Sequence, residues 1–321
     1  MNVLARRETL LVVLLALFIG LGAVLSPYFL DGTNFADLTD QLMERAIMAL
    51  PLTLVIVAGE IDLSVESMLG LSSALLGLTY GWGVPLWAGI PLVLAVGALG
   101  GLLNGLLVTR AGLPSLVVTL GTLALFRGLA YVVLGPRAVS RWPAGFNAFG
   151  FGDVPGTLVP WPFVVFAVLA AVFAFVLHRT WIGRQLYATG KNPQAARFSG
   201  IRVARLKTAL FVLSGALSAL AGVILTARLA SARADNGQGF VLDVVTAVLL
   251  GGVSIFGGEG SIAGVVLAVF AIGVLRNALT LADVTPDVQS TAVGALLIVS
   301  VAGPGIVRRI RSAWSDREVW T

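Results

Sequence analysis

Ten apolar stretches, each bounded by charge or by Gly and Pro, constrain this chain more than any other feature. They lie near 9–28, 46–59, 65–81, 85–109, 115–134, 158–178, 207–228, 241–257, 261–281 and 289–306. A helix needs ~20 mostly apolar residues to cross a bilayer, and most of these stretches reach or approach that length. Lipid offers backbone N–H and C=O groups no partner, so runs of this length span as helices. The sequence therefore predicts an all-α polytopic membrane protein, a single transmembrane domain over 1–321 with about ten spans. Segments 46–59 and 241–257 are short for a crossing. They predict broken or re-entrant helices packed against protein or a cavity.

Composition closes off the other classes. Of 321 residues 58% are hydrophobic and 12% charged, which is too little charge to coat a water-facing surface of this size. A soluble enzyme, a disordered chain and a nucleic-acid binder are excluded. The absence of Cys rules out a disulfide scaffold, a thiolate metal site and a Cys nucleophile. The pI of about 10.2 reflects where the cations sit rather than an affinity for nucleic acid.

That placement gives sidedness. With an even number of spans both termini share a side, and cytoplasmic termini (1–8 and 307–321) put 14 of the 21 Lys and Arg residues inside. These are Arg6, Arg7, Arg110, Arg179, Arg184, Lys191, Arg197, Arg202, Arg205, Lys207, Arg308, Arg309, Arg311 and Arg317. The outer segments are expected to hold Asp31, Asp37, Asp40, Glu44, Asp153, Asp235, Asp243, Asp283 and Asp287, with Arg45, Arg137, Arg141, Arg228 and Arg233. The ArgArg pair at 6–7 opens a signal-anchor helix rather than a twin-Arg leader, because nine further spans follow. Trp82, Trp87, Trp142 and Trp161 fall near the outer boundary, as an interfacial belt does.

The longest hydrophilic inner segment, 179–206, holds six cations and no acid. Within it, 193–199 reads as a short helix, with Pro193 in its first turn and Gly200 to stop it. It is either a solvated loop or a docking helix for a cytoplasmic partner. Nothing in the chain can hydrolyse a nucleotide: the only lysines, Lys191 and Lys207, lie outside any G-x-x-x-x-G-K-[ST] pattern. One histidine, His178, builds no metal site, and no hydrolase motif occurs.

Ionisable residues near the membrane are the functional candidates. Gly59, Glu60, Asp62, Ser64 and Glu66 form an acidic turn between two apolar stretches, and Gly257, Gly258 and Glu259 form a second turn at the equivalent inner position. They read as gating turns or a proton relay, or as plain helix caps through Asp62 and Ser64. Asn104, Thr119, Thr122, Arg127 and Asn277 are the candidates for a translocation path. Arg127, and Arg276 beside Asn277, must pair or snorkel. Gly97, Gly101 and Gly105 recur every four residues, a ladder for close helix packing. No regular line of acids crosses the spans, so the energy source is expected outside the chain.

Five ordered segments carry a family resemblance. GlyGluIleAspLeuSerVal at 59–65 resembles the G-G-I-D-L-S-V segment of permease subunits of bacterial sugar ABC importers, the ribose, xylose, arabinose, rhamnose and autoinducer-2 group. Residues 113–129 are similar to their P-F-I-V-T-L-G-T-x-x-x-x-R-G-L, and 183–201 to G-R-x-x-x-A-x-G-x-N-x-x-A-A-x-x-S-G-I. Residues 227–233 and 247–261 resemble A-R-x-x-S-A and A-V-x-L-G-G-x-S-x-x-G-G-x-G-x.

The resemblance implies a permease of the bacterial inner membrane, paired with a second copy or a paralogue. A cytoplasmic ABC ATPase would drive it and a periplasmic sugar-binding protein would feed it. ATP and Mg would sit on the ATPase, leaving this chain without a cofactor, a metal or a catalytic residue. It also makes Gly190, Lys191, Asn192, Pro193, Ala195, Ala196, Arg197, Ser199 and Gly200 the coupling helix and ATPase contact. Segments 48–64 and 226–261 are most similar to rhamnose and autoinducer-2 importers. Glu60 and Glu66 depart from the family, which usually has Gly there. The alternative function is a self-sufficient secondary carrier using Glu60, Asp62 and Glu66 as its ion site.

Overall fold

A computed structural model describes residues 3–300, with side chains from Glu8 onward. Residues 1, 2 and 301–321 lie outside it, and with them the expected terminus 307–321 and the cations Arg308, Arg309, Arg311 and Arg317; the side chains of Arg6 and Arg7 are likewise undescribed. In chain order the helices are α1 (Val3–Leu25), α2 (Gly32–Val57), α3 (Val65–Gly81), α4 (Leu86–Thr109), α5 (Ser115–Leu134) and α6 (Ala144–Phe151). Then come α7 (Trp161–Arg179), α8 (Trp181–Lys191), α9 (Pro193–Phe198), α10 (Val203–Arg228), α11 (Phe240–Leu250) and α12 (Ile262–Leu281). Residues 286–300 are also helical. Within the described residues every apolar stretch read from the sequence contains or lies in a helix, and the chain is an all-α polytopic membrane protein.

Local chemistry sets many of the boundaries. Pro85, Pro114, Pro143 and Pro160 stand at the starts of α4, α5, α6 and α7. Proline has no N–H to lose at a helix start and pushes the residue before it out of helical conformation. Six described helices are long and apolar enough to cross a membrane: α1 from Glu8, α4, α5, α7, α10 and α12. Much of α1, α4, α5 and α7 is exposed, with Val24, Val132 and Phe175 on open faces, as a hydrocarbon solvent allows. By contrast α10, α12 and the second half of α2 form the buried centre.

The glycine ladder of α4 packs on α10. A Cβ at Gly101 would strike the Phe211 carbonyl, and one at Gly105 would lie 2.9 Å from Thr208 Cα. Small residues here let the two backbones approach, which is how helices associate where lipid removes any hydrophobic drive.

Three expectations need correction. Segment 46–59 is no short broken helix but the buried end of α2, which runs 26 residues from Gly32. Its first half carries Asp37, Asp40, Glu44 and Arg45, which looks like a loop by hydropathy, yet Glu44 is fully buried by ion pairing. Trp142 belongs to no interfacial belt: it is buried, stacks on Tyr80 at 4.6 Å and donates to Val139 O at 2.9 Å. Trp82, Trp87 and Trp161 do lie exposed. The hydrophilic segment 179–206 contains α8 as well as α9.

Segment 241–257 does contain a short element. With 11 residues α11 is about 16 Å long, half a hydrocarbon core of ~30 Å. The loop before it enters the bundle: Asn236 Nδ2 donates to Ser73 Oγ at 2.9 Å, and Ser73 shares a 2.8 Å bond with Thr226. This is irregular backbone buried in protein, where it can be satisfied.

Candidate functional site

The basic segment after α7 forms two short helices in succession. α8 buries Gly183, Leu186 and Thr189 on one face, and the Tyr187 hydroxyl donates to Gly260 O at 2.7 Å. Asn192 then breaks the helix and caps the next one, its Oδ1 accepting from the Gln194 and Ala195 N–H groups, each at 3.0 Å. Pro193 opens α9 and Gly200, at φ +83°, follows its end. Only Ala196 of α9 is buried. Lys191, Pro193, Ala195, Arg197 and Ser199 are exposed, and Phe198 projects at 93%.

Behind α9 four glycines from three distant segments meet. A Cβ on Gly257 would lie 2.9 Å from Gly59 Cα and 3.1 Å from Gly190 Cα, and one on Gly190 would overlap Val57 O and the Gly258 nitrogen. Gly258 N–H donates to Val57 O at 2.8 Å. Gly59, Gly257 and Gly258 have φ near +80°, +81° and +74°, a region L side chains avoid. The two turns read as equivalent in sequence thus touch each other and the end of α8. Glu259 is exposed, and its carbonyl accepts from Ser254 N–H at 3.1 Å.

The acidic turn resolves into three separate jobs. Glu60 pairs with Lys207 at the start of α10. Asp62 is buried and accepts from Ser64 N–H (3.0 Å), Ser64 Oγ (2.6 Å) and Ser214 Oγ (2.7 Å), tying the turn to α10. Asn104 of α4 donates to Ser64 Oγ at 2.9 Å and completes this node. Glu66 accepts from the Val241 N–H at the start of α11, 3.0 Å away. A carboxylate at a helix N-terminus faces its unpaired N–H groups and its positive dipole end.

The other path candidates each make contacts of their own. Thr119 donates to Ser115 O at 2.8 Å and Thr122 to Val118 O at 3.1 Å, both within α5. Arg127 clamps the loop before α11, donating to Ala234 O at 2.7 Å and Asn236 O at 3.2 Å, with Glu66 at 3.9 Å. Asn277 exchanges two hydrogen bonds with Asn34 of α2, at 3.0 and 2.9 Å.

Residues 34–301 match the family model described as "Branched-chain amino acid transport system / permease component". The chain belongs to this family of ABC importer permeases. The permease is 40% identical to the autoinducer 2 import system permease protein LsrD of Yersinia enterocolitica, over 99% of this chain and 98% of that protein. It is 38% identical to LsrD of Enterobacter sp. strain 638 over 92% of each, and 39% identical to that of Escherichia coli O9:H4 over 93% and 92%. No solved structure matches it.

Sequence reasoning missed the permease's main ionic layer. Glu44 of α2 receives Arg228 Nε of α10 at 2.7 Å. Asp243 of α11 lies between Arg276 of α12 at 2.6 Å and Arg45 of α2 at 3.0 Å, the latter a charge contact without hydrogen-bond alignment. The Arg45 guanidinium also sits 3.7 Å over the Phe240 ring. These residues read as outer-segment charges, yet Glu44 and Asp243 are buried. The available signal was Arg276 in an apolar span, which demanded an acidic partner without naming it.

Proposed function

We propose that this permease is the membrane-spanning subunit of an ATP-driven importer for autoinducer 2 or a similar small sugar-like molecule. Its partners would be a cytoplasmic ABC ATPase, a second permease copy or paralogue, and a periplasmic binding protein. It would lie in the bacterial inner membrane with the α9 end and both termini in the cytoplasm. ATP and Mg would be bound by the ATPase. One observation carries this reading: α9 is exposed, while the residues leading into it are locked against the turns that end α2 and precede α12. Closure of the ATPase would push on α9. Gly190 would pass that push to Gly59 and Gly257–Gly258, and so to α2, α11 and α12 as rigid bodies. The other end of α11 is held by Asp243 and by Glu66, so motion at its base changes the load on those contacts. The 38–40% identity to LsrD proteins supports the cargo class.

Uptake by proteoliposomes containing the permease, its neighbouring ATPase and the binding protein tests this. Labelled autoinducer 2 should accumulate only with ATP inside. Accumulation by the permease alone under a proton or sodium gradient would replace the importer with the secondary carrier.

A further inference from the structure

At the end of the bundle away from α9 lies a hollow of about 220 Å³ that the coupling face does not use. Tyr131, Pro136 and Arg137 line it after α5, and Arg233, Ala234 and Asp235 line it after α10. Its walls are tied together. Val139 and Ala232 exchange two backbone hydrogen bonds, at 3.1 and 2.9 Å, and Arg127 holds the Ala234 carbonyl at 2.7 Å from below. A liquid water occupies ~30 Å³, so the hollow has room for about seven waters or one five- or six-carbon sugar.

The polar groups in it are arranged for hydroxyls. Arg233 grips Asp235 through two bonds, 2.8 and 2.6 Å, presenting donors and acceptors side by side. That guanidinium holds the Asp235 carboxyl below the usual carboxylate range, so it remains an acceptor at neutral pH. Among the described residues the Arg137 guanidinium and the Tyr131 hydroxyl make no hydrogen bond, and their capacity is unspent. The Tyr131 ring adds an apolar face of the kind that packs on a sugar ring.

We propose that this hollow is a weak receiving site for a neutral vicinal diol of pentose size, which it holds before the molecule enters the bundle. The proposal rests on the importer reading and names where the cargo first touches the permease. Adjacent hydroxyls match the paired donors and acceptors of Arg233 and Asp235, with Arg137 and Tyr131 taking the remaining hydroxyls. The half-open, solvated shape keeps affinity low, which a transport site needs in order to release its cargo.

Saturation-transfer NMR on the full-length permease in nanodiscs, without ATPase or binding protein, tests this with D-ribose as probe and pentane-1,5-diol as the non-vicinal control. Ribose should receive saturation with millimolar affinity, and the control at least fivefold less. Asp235→Asn and Arg137→Ala should each weaken ribose at least fivefold, while Leu129→Ala on the exposed face of α5 should not. Tyr131→Phe removes only a hydroxyl and should weaken ribose two- to threefold, which guards against misfolding of the charge variants. Equal ribose signals in wild type and all hollow variants would overturn the proposal. So would an Arg137→Ala variant whose ribose signal is intact but which, in a separate pull-down from nanodiscs, no longer retains the binding protein, because the hollow would then be a protein-docking contact. In the proteoliposome uptake assay, accumulation without ATP while ribose binding stays intact would overturn the importer reading alone.

Discussion

Gly258 donates its backbone N–H to Val57 O at 2.8 Å, and Gly190 packs directly on that bond. A junction of three chain segments, with no side chain between them, connects the exposed α9 to the buried end of α2. Its contacts are backbone on backbone, so it transmits displacement with little give.

Gly190→Ala should therefore be costly although it adds one methyl group. That carbon would collide with Val57 O and Gly258 N, both backbone atoms fixed by their own hydrogen bond. Overpacking of this kind destabilises by about 1–3 kcal/mol. Thermal melting in detergent should show the loss. Gly200→Ala, beyond α9 with open space around it, should instead cost only the strain of its positive φ.

Glu60 and Lys207 form a pair that compensates each other. Glu60→Gly leaves Lys207 half-buried without its partner. Hydrogen bonds to charged groups contribute about 1.5–3 kcal/mol, so the single variant should lose stability in that range. Adding Lys207→Ala should recover part of it. A double-mutant cycle measures the coupling, and purely additive losses would show that the pair is incidental.

Asp243→Asn removes the acid between Arg45 and Arg276. Two half-buried guanidinium groups would then lose the buried carboxylate that both face, and breaking such a pair costs about 3–5 kcal/mol. The variant should melt earlier or fail to accumulate in membranes. Asp243→Asn with Arg276→Gln should restore membrane levels, because it removes a charge from each side.

What the sequence made legible was local. Span positions follow from apolar length, α9 from Pro193 and Gly200, and close packing along α4, though not its partner, from glycines spaced four apart. The sequence hid what depends on distant partners. Charges at Asp40, Glu44 and Arg45 imitate a loop unless Arg228 and Asp243 are known to sit beside them. α8 was masked by its Arg and Gln residues, although Gly183, Leu186 and Thr189 mark a buried stripe three residues apart. The meeting of Gly59, Gly190 and Gly257 needs the tertiary fold, and the equivalence of the two turns was its only trace. The path candidates were chosen as polar residues in apolar helices, a rule that equally selects structural pairs such as Asn34–Asn277.

The proposed contact between α9 and an ATPase is directly measurable, because the chain has no native cysteine. Ala195→Cys and, as a control at the opposite end, Arg137→Cys can each be paired with a surface cysteine scanned around the nucleotide-distal groove of the partner ATPase. Oxidative cross-linking in native membranes should join the ATPase to position 195 and never to 137, with the yield changing when ATP is added. A cross-link from 137, or none from 195 in a complex that still transports, would contradict the account.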